Sequence, residues 1–115
     1  MKETWKIFAT YLLILFLLFA YTNASGQMKA IYFNADWNEA NNVEWFSKLT
    51  DVKKEVMDIG KGDCQKKYNI AIVPTIVIFK DGEEVKRFQA DISFKMVATR
   101  KEIQEVIDEL LMSDF

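Results

Sequence analysis

The chain has 115 residues, half of them hydrophobic and 28% charged, with a formal net charge of −2, so it has room for one ordinary domain. It contains no histidine, which excludes histidine acid–base chemistry and histidine-ligated zinc, and its near-neutral, slightly acidic balance is a poor match for a nucleic-acid backbone. Its single cysteine excludes an intramolecular disulfide, a Cys-x-x-Cys pair and a four-cysteine metal site.

Residues 1–26 read as a separate address segment. Lys2 and Lys6 form a basic start, Ile7–Ala20 is apolar apart from Thr10, and small and polar residues follow. These are the parts of a secretory signal peptide, with a cut after Gly26 leaving Gln27 as the new N-terminus, or a cut after Ala24. An uncleaved membrane anchor over residues 7–21 is the alternative, although the apolar run is shorter than the roughly 20 residues a spanning helix needs. No cysteine directly follows the run, so lipid attachment is not indicated. The expected localisation is export, to a periplasmic or extracellular space, with membrane contact only if this segment is retained.

The remaining 89 residues, 27–115, alternate strand and helix signals. Lys29–Asn34 is a near-continuous apolar run of the kind found in a strand buried on both faces. Val43, Phe46 and Leu49 follow at helical spacing and predict a short first helix. Lys54–Ile59 is a second strand, and Asp63 is placed to cap a short helix ending at Tyr68. Thr75–Phe79 is the strongest strand. Asp81-Gly82 is a hairpin signal, with Glu83–Phe88 returning antiparallel. Thr99-Arg100-Lys101-Glu102 is a capping box. After it, Ile103, Val106, Ile107, Leu110 and Leu111 repeat as one helical face. The expected architecture is α/β, with a mixed sheet of about four strands flanked by three helices in the order β-α-β-α-β-β-α.

Three separated pieces resemble the thioredoxin family. Phe33-Asn34-Ala35-Asp36-Trp37 is similar to the strand end before the family's active site. Tyr68 to Thr75, with Val73-Pro74-Thr75, is similar to the segment carrying its cis-proline. Ile76 to Gly82 is similar to its hairpin strand and Lys-x-Gly turn. The resemblance covers most of residues 29–111 and implies a shortened thioredoxin fold, since the family has a further strand and helix in front. It places the family's Trp-Cys-x-x-Cys motif on Trp37, Asn38, Glu39, Ala40 and Asn41, so both cysteines are asparagine. It also places the family's buried acid at Tyr32 and the glycine after the last strand at Ala90. Thiol–disulfide exchange needs an attacking thiolate and a resolving thiol, and an amide replaces neither.

The resemblance therefore implies a fold without its usual chemistry: a binding or scaffold module that takes a protein or extended peptide beside Val73, Pro74 and Thr75. The asparagines are expected to cap the first helix, or to form a polar contact site with Glu39 beside Trp37. The alternative is a divergent thiol–disulfide oxidoreductase acting through Cys64 or a partner thiol; a lone cysteine on a helix face is otherwise a small buried hydrophobe. Phe88–Met96 alternates apolar and polar residues and predicts a lengthened edge strand, with possible self-association through its apolar side. No phosphate loop, nucleophile elbow or metal-spaced cluster occurs, so no cofactor or metal is expected.

Overall fold

The computed structural model describes residues 27–113; the signal or anchor segment read over residues 1–26 lies outside them. Four strands form one sheet: β1 (Met28–Asn34), β2 (Lys53–Asp58), β3 (Thr75–Lys80) and β4 (Glu83–Gln89). The order across the sheet is β2-β1-β3-β4, with β1 parallel to β2 and antiparallel to β3, and β3 antiparallel to β4. Two α-helices, α1 (Cys64–Lys67) and α2 (Arg100–Met112), and two 3-10 helices, Asp36–Asn41 and Glu44–Lys48, cover the faces.

The central strand explains this layering. Successive side chains of β1 point to opposite faces. Met28, Ala30 and Tyr32 join one buried cluster with Phe46, Leu49, Ile76, Ile78, Ile103 and Ile107, under the 3-10 helices and α2. Ile31 and Phe33 join a second with Ile70, Val73 and Val77, under α1. Both faces of β1 are therefore core, which its unbroken apolar run requires.

The mixed sheet and the final helix agree with the sequence reading; several local elements differ. The first helix is not an α-helix. Val43, Phe46 and Leu49 are spaced by three residues, the repeat of a 3-10 helix, and all three are buried. Asn42 is extended between the two short helices and interrupts any continuous α-helix. The second strand begins and ends one residue earlier than read, although Ile59 N–H still reaches Asn34 C=O at 3.0 Å. Asp63 precedes α1 but its side chain makes no capping bond.

The largest departure is at Phe88–Met96. β4 stops at Gln89, and beyond it only an isolated bridge joins Ala90 to Met96. Asp91 breaks the strand. Its Oδ1 accepts from Ser93 N–H (2.9 Å), Ser93 Oγ–H (2.6 Å) and Lys95 N–H (3.2 Å). Phe94 takes a positive φ of 62°. The alternating pattern is thus a tight loop organised by an Asx turn, which competes with the strand for the same backbone donors.

The hairpin and final helix form as read. Asp81 and Gly82 both have positive φ, 52° and 84°, the requirement of a two-residue hairpin turn that matches strand twist. Thr99 Oγ1 accepts from Glu102 N–H at 3.2 Å at the start of α2. Lys80 Nζ donates to Leu110 C=O at 3.1 Å, placing a cation at the end of that helix.

Ile107 is fully buried and Thr99 is exposed, so truncating each tests a different contribution. Ile107→Ala is expected to cost about 2–5 kcal/mol of unfolding free energy, and Thr99→Ala about 1 kcal/mol, in denaturant titrations.

Candidate functional site

The end of β1 leads into the first 3-10 helix, where the sequence places its candidate motif. Trp37, Asn38, Glu39, Ala40 and Asn41 all lie in that helix. They do not share one environment. Trp37 is 66% exposed, while Asn38 is only 4% exposed. Glu39 and Ala40 face solvent, and Asn41 is half-buried.

A continuous set of hydrogen bonds accounts for the burial of Asn38. Asn41 Nδ2 donates to Asn38 Oδ1 (2.9 Å), and Asn38 Nδ2 donates to Asn34 Oδ1 (3.1 Å). Asn34 Nδ2 donates to the Tyr32 hydroxyl (3.0 Å), which donates to Asn42 Oδ1 (2.6 Å). Val43 N–H also donates to the Tyr32 oxygen at 3.0 Å, so this hydroxyl accepts twice and donates once, its full capacity. The chain of bonds starts at Asn41 and returns to its neighbour Asn42, closing a ring around the turn. Among the described residues no buried side-chain polar atom lacks a partner.

These asparagines do not cap the helix. Its first position is preceded by Ala35, with no side-chain cap, and Asn38 spends its amide donors on carbonyl oxygens instead. Nor does Asn38 form a surface contact site with Glu39. Tyr32, Asn34, Asn42 and Phe94 were not singled out as site residues by sequence reasoning, apart from Tyr32 as a missing acid. The available signal was Tyr32 and Asn34 two apart at the strand end, on one face, with Asn38 one turn later.

Asn38 has a second reach. Its Nδ2 donates to Phe94 C=O at 3.1 Å, across 56 residues of sequence. The Phe94 ring meets the Trp37 ring edge-on, with centroids 5.1 Å apart, a geometry favoured by the aromatic quadrupoles. Phe94 remains 39% exposed and Ile92 is 95% exposed. Trp37, Phe94 and the 91–95 loop thus form one surface.

The Val73-Pro74 peptide bond is cis. Val73, Pro74 and Thr75 are all buried, and Pro74 C=O accepts from Ala90 N–H at 3.0 Å. Their side chains therefore do not line an open groove. Open space lies elsewhere, in a cavity of about 430 Å³ between Asp36-Trp37 and the 58–61 loop.

Cys64 is half-buried at the start of α1 and packs on the second cluster. Its Sγ lies 3.3 Å from Asp58 C=O and 3.7 Å from Lys61 C=O, within donor range of both. Among the described residues, no group of three or more cysteine or acidic side chains is placed to hold a metal ion. No helix among them is long and apolar enough to cross a membrane.

No family model matches the chain, and no curated protein matches it. Solved structures do. A thioredoxin from Fasciola hepatica is similar with a TM-score of 0.54 and 28% identity, over 80% of this chain and 89% of that one. Thioredoxin-2, a component of the malaria parasite protein secretion machinery, gives a TM-score of 0.59 and 16% identity, over 72% and 82%. Thioredoxin 1 from Thermosipho africanus gives 0.55 and 23%, over 75% and 97%. The chain has a thioredoxin-like fold and carries a single cysteine.

Two titrations bear on this site. Burial raises the Tyr32 hydroxyl above its usual value of 10.0, against the lowering effect of the Val43 and Asn34 bonds, which keeps it protonated as the donor to Asn42. The Ser93 hydroxyl, then the Lys95 N–H, lowers Asp91 below its usual 3.8. The ionised form of Asp91 therefore favours the folded loop above its unfolded value, and that contribution is lost as pH falls through the lower folded value. Acid titration followed by NMR should move the Ser93 and Lys95 amide signals with a midpoint below 3.8, and Asp91→Asn should abolish that step. Asn38→Ala leaves Asn34 Oδ1 and Phe94 C=O without their donor. It is expected to cost about 1–3 kcal/mol in denaturant unfolding and to raise amide exchange across the 91–95 loop.

Proposed function

We propose that this protein is an exported, non-catalytic binding module that holds a protein segment or extended peptide at the surface formed by Trp37, Phe94 and Ile92. The observation that carries this reading is Trp37: a large aromatic ring left mostly exposed on a turn whose neighbours are locked by hydrogen bonds. An aromatic side chain held rigidly in water loses little entropy on binding and gains its buried area, which is why tryptophan is enriched among binding hot spots. The cavity behind Trp37 gives a partner side chain a place to enter.

Loss of the dithiol motif supports binding over turnover. With asparagine at the two positions where the resemblance expects cysteine, a captured segment cannot be joined through a mixed disulfide there. The signal-like composition of residues 1–26 supports export, and their retention instead of cleavage makes the same module a membrane-tethered one. The competing reading is thiol exchange through Cys64.

The test is selection of extended peptides on the protein as isolated from cells, followed by affinity measurement. Trp37→Ala is expected to weaken binding about tenfold or more while the circular dichroism spectrum is unchanged; Cys64→Ser is expected to leave affinity unchanged and no disulfide-reducing activity to be found in either form. Unaltered affinity in Trp37→Ala, or a reducing rate that vanishes in Cys64→Ser, overturns the reading.

A further inference from the structure

The geometry points to a second copy of this chain as the occupant of the open edge of β2, paired antiparallel about a two-fold axis centred on Val56. The inference stands apart from the Trp37 surface and does not rest on it.

β2 is an edge strand: among the described residues it pairs with β1 alone. Within a strand, the N–H and C=O of one residue point to the same side, and the side alternates along the chain. Ile59 N–H reaches Asn34 C=O, so the odd-numbered residues of this segment face β1. Lys54 and Val56 therefore turn their N–H and C=O groups outward, and Asp58 its N–H, its C=O being taken by Lys61 N–H and Cys64 Sγ. Val56 is also 68% exposed, an apolar side chain on an unpaired edge. The other edge differs. β4 is interrupted by a register shift at Ile78/Phe79 and begins with Glu83-Glu84, devices that discourage pairing.

Two-fold pairing about an axis perpendicular to the sheet keeps each face on its own side, so paired residues must share parity. Three registers meet that condition near the strand centre. Centring on Glu55 sets Glu55 against Glu55 of the second copy. That opposes like charges directly across the ladder, which is destabilising. Centring on Met57 sets the apolar Val56 against the Asp58 carboxylate and runs Lys54 against Gly60, beyond the end of the strand, so it has a shorter ladder and no opposite-charge pair. Centring on Val56 sets Lys54 against Asp58 and Asp58 against Lys54, opposite charges at both ends, with the two Val56 side chains between them. In that register Val56 exchanges both main-chain bonds with its copy, and Asp58 N–H donates to Lys54 C=O. Asp58 C=O already accepts from Lys61 N–H at 3.0 Å and contributes less. Lys54 Nζ donates to Ser47 C=O and Leu49 C=O at 2.8 and 2.7 Å, which leaves one of its three donors for the opposing carboxylate.

The pairing is a self-complementary, isologous contact that closes at two copies. It joins two sheets edge to edge through residues that include Asp58, which also lines the cavity beside Trp37.

The test uses the full protein as isolated, in mild detergent if the apolar segment is retained. In a Val56→Cys, Cys64→Ser variant, facing residues would have Cα atoms about 5.5 Å apart, within reach of a short bifunctional thiol cross-linker. Cross-linking is expected to give a covalent dimer at least tenfold faster than in a Glu83→Cys, Cys64→Ser variant on the other edge. Val56→Pro removes only an outward N–H and spares the β1 ladder. It is expected to raise the dimer dissociation constant about tenfold or more by light scattering. If that variant misfolds by circular dichroism, Val56→Lys replaces it. Monomeric wild-type protein, equal cross-linking at both edges, or a dimer that survives Val56→Lys and falls apart in Ile92→Ser overturns the proposal.

Discussion

The hydrogen-bond ring through Asn38 is the constraint on which the Trp37 end of the molecule depends. Asn38 lies where β1, the first 3-10 helix and the 91–95 loop converge, and its amide bonds to all three: to Asn34, to Asn41 and to Phe94 C=O. Asn38 and Asn34 are buried, and an unpaired buried polar group is costly. The ring therefore has two states that matter, complete or expensive. Completeness fixes the turn that carries Trp37 and the loop that carries Phe94, and thereby fixes the angle between the two rings.

The sheet beneath supplies the rigidity this ring needs. β1 is buried on both faces and bonded on both edges, to β2 and β3, so its C-terminal end cannot shift without disturbing two core clusters. Tyr32 belongs to both systems. Its ring packs on Phe46 at 5.3 Å between centroids, and its hydroxyl sits in the polar ring. Arg87 performs a comparable task on the opposite side, donating to Tyr68 C=O and Asn69 C=O at the end of α1 while held by Glu84. The scaffold is tied across its elements by side chains, as a small domain without a disulfide requires.

The fold was legible in the sequence where pattern and chemistry agreed. The apolar run of β1, the β-branched run of β3, the Asp-Gly turn and the α2 face each have one physical reading. Legibility failed where polar side chains compete for the backbone. Asp91 carries no mark in an alternating pattern that distinguishes a solvent-facing strand residue from the hub of a turn; only its three bonds do so. Asn38 likewise reads as a surface cap because asparagine favours caps, whereas its actual partners lie 3, 4 and 56 residues away. The distant one is invisible to local spacing. Val73, Pro74 and Thr75 read as lining a groove, yet all three are buried: Val73 packs into the second cluster with Phe33, Ile70 and Val77, contacts between distant segments that local pattern does not show.

The asparagines do more than fill positions 38 and 41. Small inert residues would fill them too, but Asn38 donates twice and accepts once, and Asn41 supplies the bond that Asn38 accepts. A thiol offers one weak donor and a weak acceptor, so it satisfies neither Asn34 and Phe94 together nor the Asn41 amide well. Tyr32 deepens the commitment, because its hydroxyl is the point at which Asn34, Asn42 and the Val43 main chain meet. A carboxylate there accepts from Asn34 and Val43 but has no proton for Asn42. The polar ring thus depends on this set of residues, and a cysteine at position 38 or 41 would remove a bond from the structure that holds Trp37 in place.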